Sequence, residues 1–116
     1  MMALVILLTG CAHAPAELEA AKRSVDGRLT YQYSTTRTKA LPAGNNRFIL
    51  SVDSLAPQSG PANCVGYALA YREALGRGLL KACQLPDGQM HAYLQVDGYV
   101  LDNREGWVVK QGENCM

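Results

Sequence analysis

The stretch Met90 to Asn103, MHAYLQVDGYVLDN, leaves this chain little freedom. Asp97-Gly98 sits between two runs that alternate apolar and polar residues, the strongest short-range signal for a two-residue β-hairpin. That turn sets Val96 opposite Tyr99 and Leu94 opposite Leu101. Continued outward, Tyr93 faces Asp102 and Ala92 faces Asn103. Side chains alternate faces along a strand. Ala92, Leu94, Val96, Tyr99 and Leu101 then form an apolar face, and His91, Tyr93, Gln95, Val100, Asp102 and Arg104 form the other. His91 and Asp102 share that second face as diagonal neighbours, within reach of long side chains.

A helix is predicted ahead of this hairpin. In GPANCVGYALAYREALG, residues 60–76, Asn63 is a good N-cap, since its side-chain oxygen can accept from the free N–H groups of the first turn. Cys64 takes the first helical position. Val65, Ala68, Leu69, Arg72 and Leu75 recur at helical spacing, and Gly76 and Gly78 stop the run. A thiol at a helix N-terminus meets unpaired N–H groups and the positive end of the dipole, which favour the thiolate.

Other segments are less explicit. RLTYQYSTT (28–36), RFILSV (47–52) and LLKACQL (79–85) are predicted strands. Leu41-Pro42-Ala43-Gly44-Asn45-Asn46 is predicted as a turn and residues 53–62 as a surface loop. Residues 12–27 read as a tether followed by a short helix with Leu18, Ala21 and Val25 on one face. Tyr67 and Tyr71 are expected to pack. Trp107 either walls a cleft or packs in the core, and core packing is favoured.

With 116 residues, 48 % hydrophobic and 18 % charged, the chain is expected to form one globular domain. A net charge of +1 without a basic stripe gives no reason to expect nucleic acid. MMALVILLTGC is too short an apolar run to span a bilayer and reads as the end of a secretory signal. Leu8-Thr9-Gly10-Cys11 resembles the lipobox of bacterial lipoproteins, which implies cleavage before Cys11, lipid on that cysteine and attachment to a membrane. Ala12 follows where Asp would signal inner-membrane retention, so the resemblance leans towards the outer membrane of a two-membrane cell. The expected division is a signal over 1–10, a lipidated tether over 11–27 and a domain over 28–116.

Export favours cysteine pairing. With Cys11 lipidated and Cys64 reactive, Cys83 and Cys115 remain for one disulfide. The alternatives are a buried Cys83 with a loose Cys115, or a Cys64–Cys83 bridge that would remove the reactive thiol. The cysteines and histidines lack the paired spacing of a zinc site, and no cofactor is called for.

Cys64, His91 and Asp102 can thus serve as nucleophile, base and orienting group. Asn63-Cys64-x-x-Tyr67-Ala68, His91-Ala92 and Tyr99-Val100-Leu101-Asp102-Asn103 resemble the transglutaminase-like superfamily, and among it the bacterial transglutaminase-like cysteine proteinases of the LapG type. The resemblance covers about residues 58–107. It implies an α+β fold with a papain-like or transglutaminase-like core, a Cys-bearing helix packed on a small antiparallel sheet. It also implies hydrolysis of peptide or isopeptide amides in a protein or peptide substrate; a cell-wall peptide is a second candidate substrate, and a monomer is expected. Gly66 stands where LapG-type enzymes usually carry a charged or polar group. The backbone N–H of Cys64 is one candidate donor for the oxyanion. Gln58 is a second, six residues before Cys64, as a Gln stands in papain-type enzymes. The Asn63-Cys64-Val65-Gly66-Tyr67 motif also resembles cell-wall amidases and endopeptidases of the NlpC or CHAP type. A binding lipoprotein that kept the fold without catalysis is the reading from another class.

Overall fold

A computed structural model describes residues 14–34 and 36–115. Cys11 and the lipobox lie outside the described residues, as does His13. The fold is α+β. Helix α1 spans Ala16–Arg28, followed by β1 (Leu29–Tyr31), β2 (Thr38–Gly44), β3 (Arg47–Val52) and β4 (Gly60–Ala62). Helix α2 spans Cys64–Leu75, followed by β5 (Leu79–Gln84), β6 (Met90–Val96), β7 (Tyr99–Leu101) and β8 (Val109–Lys110). Six strands form an antiparallel sheet in the order β2-β3-β5-β6-β7-β8, and β1 and β4 form a separate parallel pair.

The hairpin β6–β7 has the register its turn predicts, with Val96 opposite Tyr99 and Leu94 opposite Leu101. Pairing stops there. Asp102 and Asn103 have left the strand, so the extrapolated pairs Tyr93–Asp102 and Ala92–Asn103 do not form. Leu80, Leu94, Val96 and Leu101 point to the helices and join Leu18, Val25, Tyr67, Leu69 and Tyr71 in the main core. The opposite face buries Cys83, Tyr93, Val100 and Val109.

Helix α2 begins and ends where its sequence directs. Asn63 Oδ1 accepts from Gly66 N–H at 3.0 Å, and Gly76 adopts the left-handed conformation (φ 73°) that closes a helix. Gly66 is needed for space. A Cβ there would lie 2.9 Å from Ala62 Cβ, so the first turn can press against β4 only without a side chain. The charged or polar group of the LapG type has no room at this position.

Five expectations need correction, the first being that the end of the predicted 53–62 loop, Gly60–Ala62, is strand β4. The short helix expected within residues 12–27 forms, with Leu18, Ala21 and Val25 buried, but as α1 it packs on α2 and belongs to the folded body, which therefore begins well before residue 28. Strand β1 covers only Leu29–Tyr31 of the predicted 28–36: α1 takes Arg28, and the pairing partner β4 is itself three residues long. Leu41 to Gly44 belong to β2 rather than to a turn. Pro42 is tolerated because β2 is an edge strand, and the turn is only Asn45-Asn46, both at positive φ. Trp107 is 62 % exposed, since the β7–β8 connection turns Val108 inward instead.

Candidate active site

Cys64 lies where α2 starts beside β6. Ala92 is buried and small, so the helix end can approach the strand closely, and the N–H of Ala92 donates to Cys64 Sγ at 3.4 Å. The thiol is half-buried. Burial pushes its pKa up, but hydrogen bonds from His91, Ala92 N–H and Val65 N–H, with the nearby imidazolium charge, outweigh burial. They hold the thiol below its ordinary range.

His91, near the start of β6, is 5 % exposed, and its Nε2 lies 2.5 Å from Asp102 Oδ1. With Nε2 taken by the carboxylate, Nδ1 is the ring nitrogen left for the thiol. Burial pushes the His91 pKa down. The hydrogen bonds to Asp102 and Cys64, and their negative charge, more than reverse this and push it up to about 9. The two shifts run in opposite directions for one reason: each partner stabilises the charged form of the other.

Asp102 is 1 % exposed. The end of β7 carries it off the sheet, where Oδ1 also accepts from Arg104 N–H at 2.9 Å. This short turn, rather than a continued strand ladder, aims the carboxylate at the imidazole. Asp102 Oδ2 is buried without a hydrogen-bond partner among the described residues, and so is Asn103 Oδ1.

Cys64 and His91 open onto a cleft of about 480 Å³, lined also by Tyr31, Tyr33, Asn63, Leu85, Asp87, Gln89, Met90, Asn103 and Arg104. Tyr31 and Tyr33 are 53 % and 79 % exposed. They reach the cleft because β1 pairs in parallel with β4, which sets Tyr31 beside Ala62, two residues before Cys64.

Gln58 is not part of this arrangement. Its amide donates to Glu73 Oε1 at 2.7 Å and to Ala56 O at 3.4 Å, on the side of α2 away from the cleft. Six residues upstream of the thiol, the chain here is a Pro-containing loop that turns back along the helix, so the spacing does not bring the amide to the sulfur. Cys83 and Cys115 form a disulfide with Cα atoms 6.2 Å apart, and Cys64 is left as a free thiol. Cys83 pairs directly with His91 across β5 and β6, so the bridge anchors the C-terminal segment next to the site.

Sequence reasoning missed Lys22, Tyr31 and Tyr33. Lys22 had a local signal: it stands four residues after Leu18 and three before Val25, on the buried stripe of α1. The alternation of Leu29, Tyr31 and Tyr33 marks a strand, but nothing local shows that this strand pairs in parallel with β4 and so brings the tyrosines to the cleft.

No family model matches the chain, and no curated protein or solved structure matches it.

Proposed function

We propose that the chain is a cysteine hydrolase of amide bonds, with Cys64 as nucleophile, His91 as base and then acid, and Asp102 as the group that orients the imidazole. The observation that carries this reading is the half-buried thiol at the first turn of α2, beside an imidazole held 2.5 Å from a buried carboxylate. The Cys64 thiolate attacks the carbonyl carbon and forms a C–S bond. The carbonyl electron pair moves to oxygen, and the backbone N–H of Cys64 is the donor for that charge, since Gly66 N–H is taken by Asn63 Oδ1 and Val65 N–H by the Cys64 sulfur. Collapse breaks the C–N bond, and the His91 imidazolium gives its proton to the leaving amine. Neutral His91 then takes a proton from water. The hydroxide carbon–oxygen bond replaces the thioester, and the thiolate leaves with the acid as product.

The papain-like or transglutaminase-like core, the protein or peptide substrate, hydrolysis rather than crosslinking, and lipid attachment of an envelope protein through Cys11 belong to the same proposal. They are supported by the residues that resemble that superfamily and the lipobox.

Alkylation of Cys64 by iodoacetamide at pH 6 tests the chemistry. A thiolate paired with an imidazolium reacts fast there, and His91→Ala slows it at least about tenfold, the effect of one unit in thiol pKa. Slow labelling that His91→Ala leaves unchanged rejects the enzyme. Parallel digests of a denatured protein and of purified peptidoglycan then separate a peptidase from a cell-wall amidase.

A further inference from the structure

We infer that Lys22, from helix α1, is a positioning residue for the candidate site: it fixes the backbone of Asp102 and thereby the carboxylate that orients His91. This rests on the proposed role of Cys64 and His91. Lys22 is 1 % exposed, and burial of an ammonium is costly unless each of its three donors finds an acceptor. Here each does. Nζ donates to Asp26 Oδ2 at 2.7 Å, to Asp102 O at 2.9 Å and to Tyr71 Oη at 3.3 Å. Tyr71 in turn donates to Asp26 Oδ1, and its pKa is held far above the ordinary value by burial and by Asp26, so the hydroxyl remains a donor.

The partners divide into two kinds. Asp26 and Tyr71 would suffice to hold α1 against α2, since together they close a network between the two helices. The third bond serves neither helix. It reaches the residue that has just left β7, where the sheet ladder no longer holds the chain. Asp102 is otherwise tied by its own turn, Arg104 N–H to Oδ1 and Glu105 N–H to the same carbonyl that Lys22 holds. Apart from the bond of its own carboxylate to His91, the contact that ties that turn to the rest of the body is Lys22 Nζ on Asp102 O. Without it, the turn can shift as a unit, and the carboxylate with it.

The test is the pH profile of Cys64 alkylation in the full chain. Lys22→Met, which keeps the length and apolar stem, is expected to raise the midpoint by about one unit and to slow labelling at pH 6 about tenfold. Tyr71→Phe removes contacts to Asp26 and Lys22 but none to Asp102. It is expected to lower the melting temperature and leave the midpoint in place. If Lys22→Met does not fold, Lys22→Gln is used, with the same upward shift expected. An unchanged midpoint in the folded Lys22 variant, an equal shift in Tyr71→Phe, or failure of both Lys22 variants to fold overturns the inference. Wild-type Cys64 that labels as an ordinary thiol instead removes the reading of the site itself, which keeps the two failures distinct.

Discussion

Among the described residues, the face of the six-stranded sheet that meets the helices shares a core of fifteen buried apolar residues, whereas the opposite face buries four, Cys83, Tyr93, Val100 and Val109. The first face is held by area. It is also where Lys22 is buried, because a thick apolar layer can exclude water from its ammonium and still anchor its partners. Among the described residues, the second face has no helix over it. There a disulfide from Cys83 to Cys115 and the hydrogen bonds of Arg47 to Tyr93 and Asn114 replace packing. A small core compensated by a covalent link is a common solution where little apolar surface is available.

If that division is right, breaking the link should be the larger insult to the thin face. Cys83→Ala/Cys115→Ser opens a loop with a sequence separation of 32 and is expected to cost about 4 kcal/mol by loop-closure entropy. Urea denaturation reads the loss. The alkylation profile of Cys64 should not move, although Cys83 and His91 are cross-strand partners. A shifted profile would mean that the two faces are not independent and that the link also sets the position of His91.

On the thick face, Leu94→Ala is expected to cost about 3 kcal/mol, since Leu94 is fully buried between sheet and helices and its loss leaves a cavity. The same denaturation experiment on both variants ranks the two modes of support. A loss below about 1 kcal/mol for Leu94→Ala would show that the helix layer can collapse onto the sheet, and would weaken the contrast.

The same contrast governs what could be read from the sequence. The hairpin turn at Asp97-Gly98, the Asn63 cap and the Gly76 stop are local signals: each depends on a few adjacent residues, and each is found where the sequence puts it. Cys64, His91 and Asp102 were nameable because residue chemistry and hairpin alternation converge on them. The elements that complete their surroundings depend on distant partners. The β1–β4 pairing joins residues about thirty positions apart. Lys22 meets Asp102 across 80 positions, and its charge argues locally for a solvent-facing place. The β2 edge strand carries Pro42 and Gly44, both of which argue locally for a turn. Gln58 shows the converse error. A spacing that has meaning in one backbone path carries none when the loop runs another way.

The smallest expected effect lies where the two buried charges oppose each other. The His91 pKa is raised in the folded chain, so the stabilisation from its proton is complete below about pH 6.5, its ordinary value, and is lost as pH rises through about 9. The Cys64 thiol is lowered, so its contribution is complete above the ordinary thiol range and is lost as pH falls through its folded value. Between about pH 6.5 and 9 one contribution fades while the other grows, and wild-type stability should be nearly flat across that window. Cys64→Ser removes the growing term. Asp102 still holds the His91 proton, so this variant should lose about 1 kcal/mol between pH 6.5 and 9 relative to wild type, a loss readable by denaturation at the two pH values. An equal slope in both proteins would mean that the thiol and the imidazole do not share a proton in the folded chain. The site would then hold a His91–Asp102 pair with no part in activating Cys64.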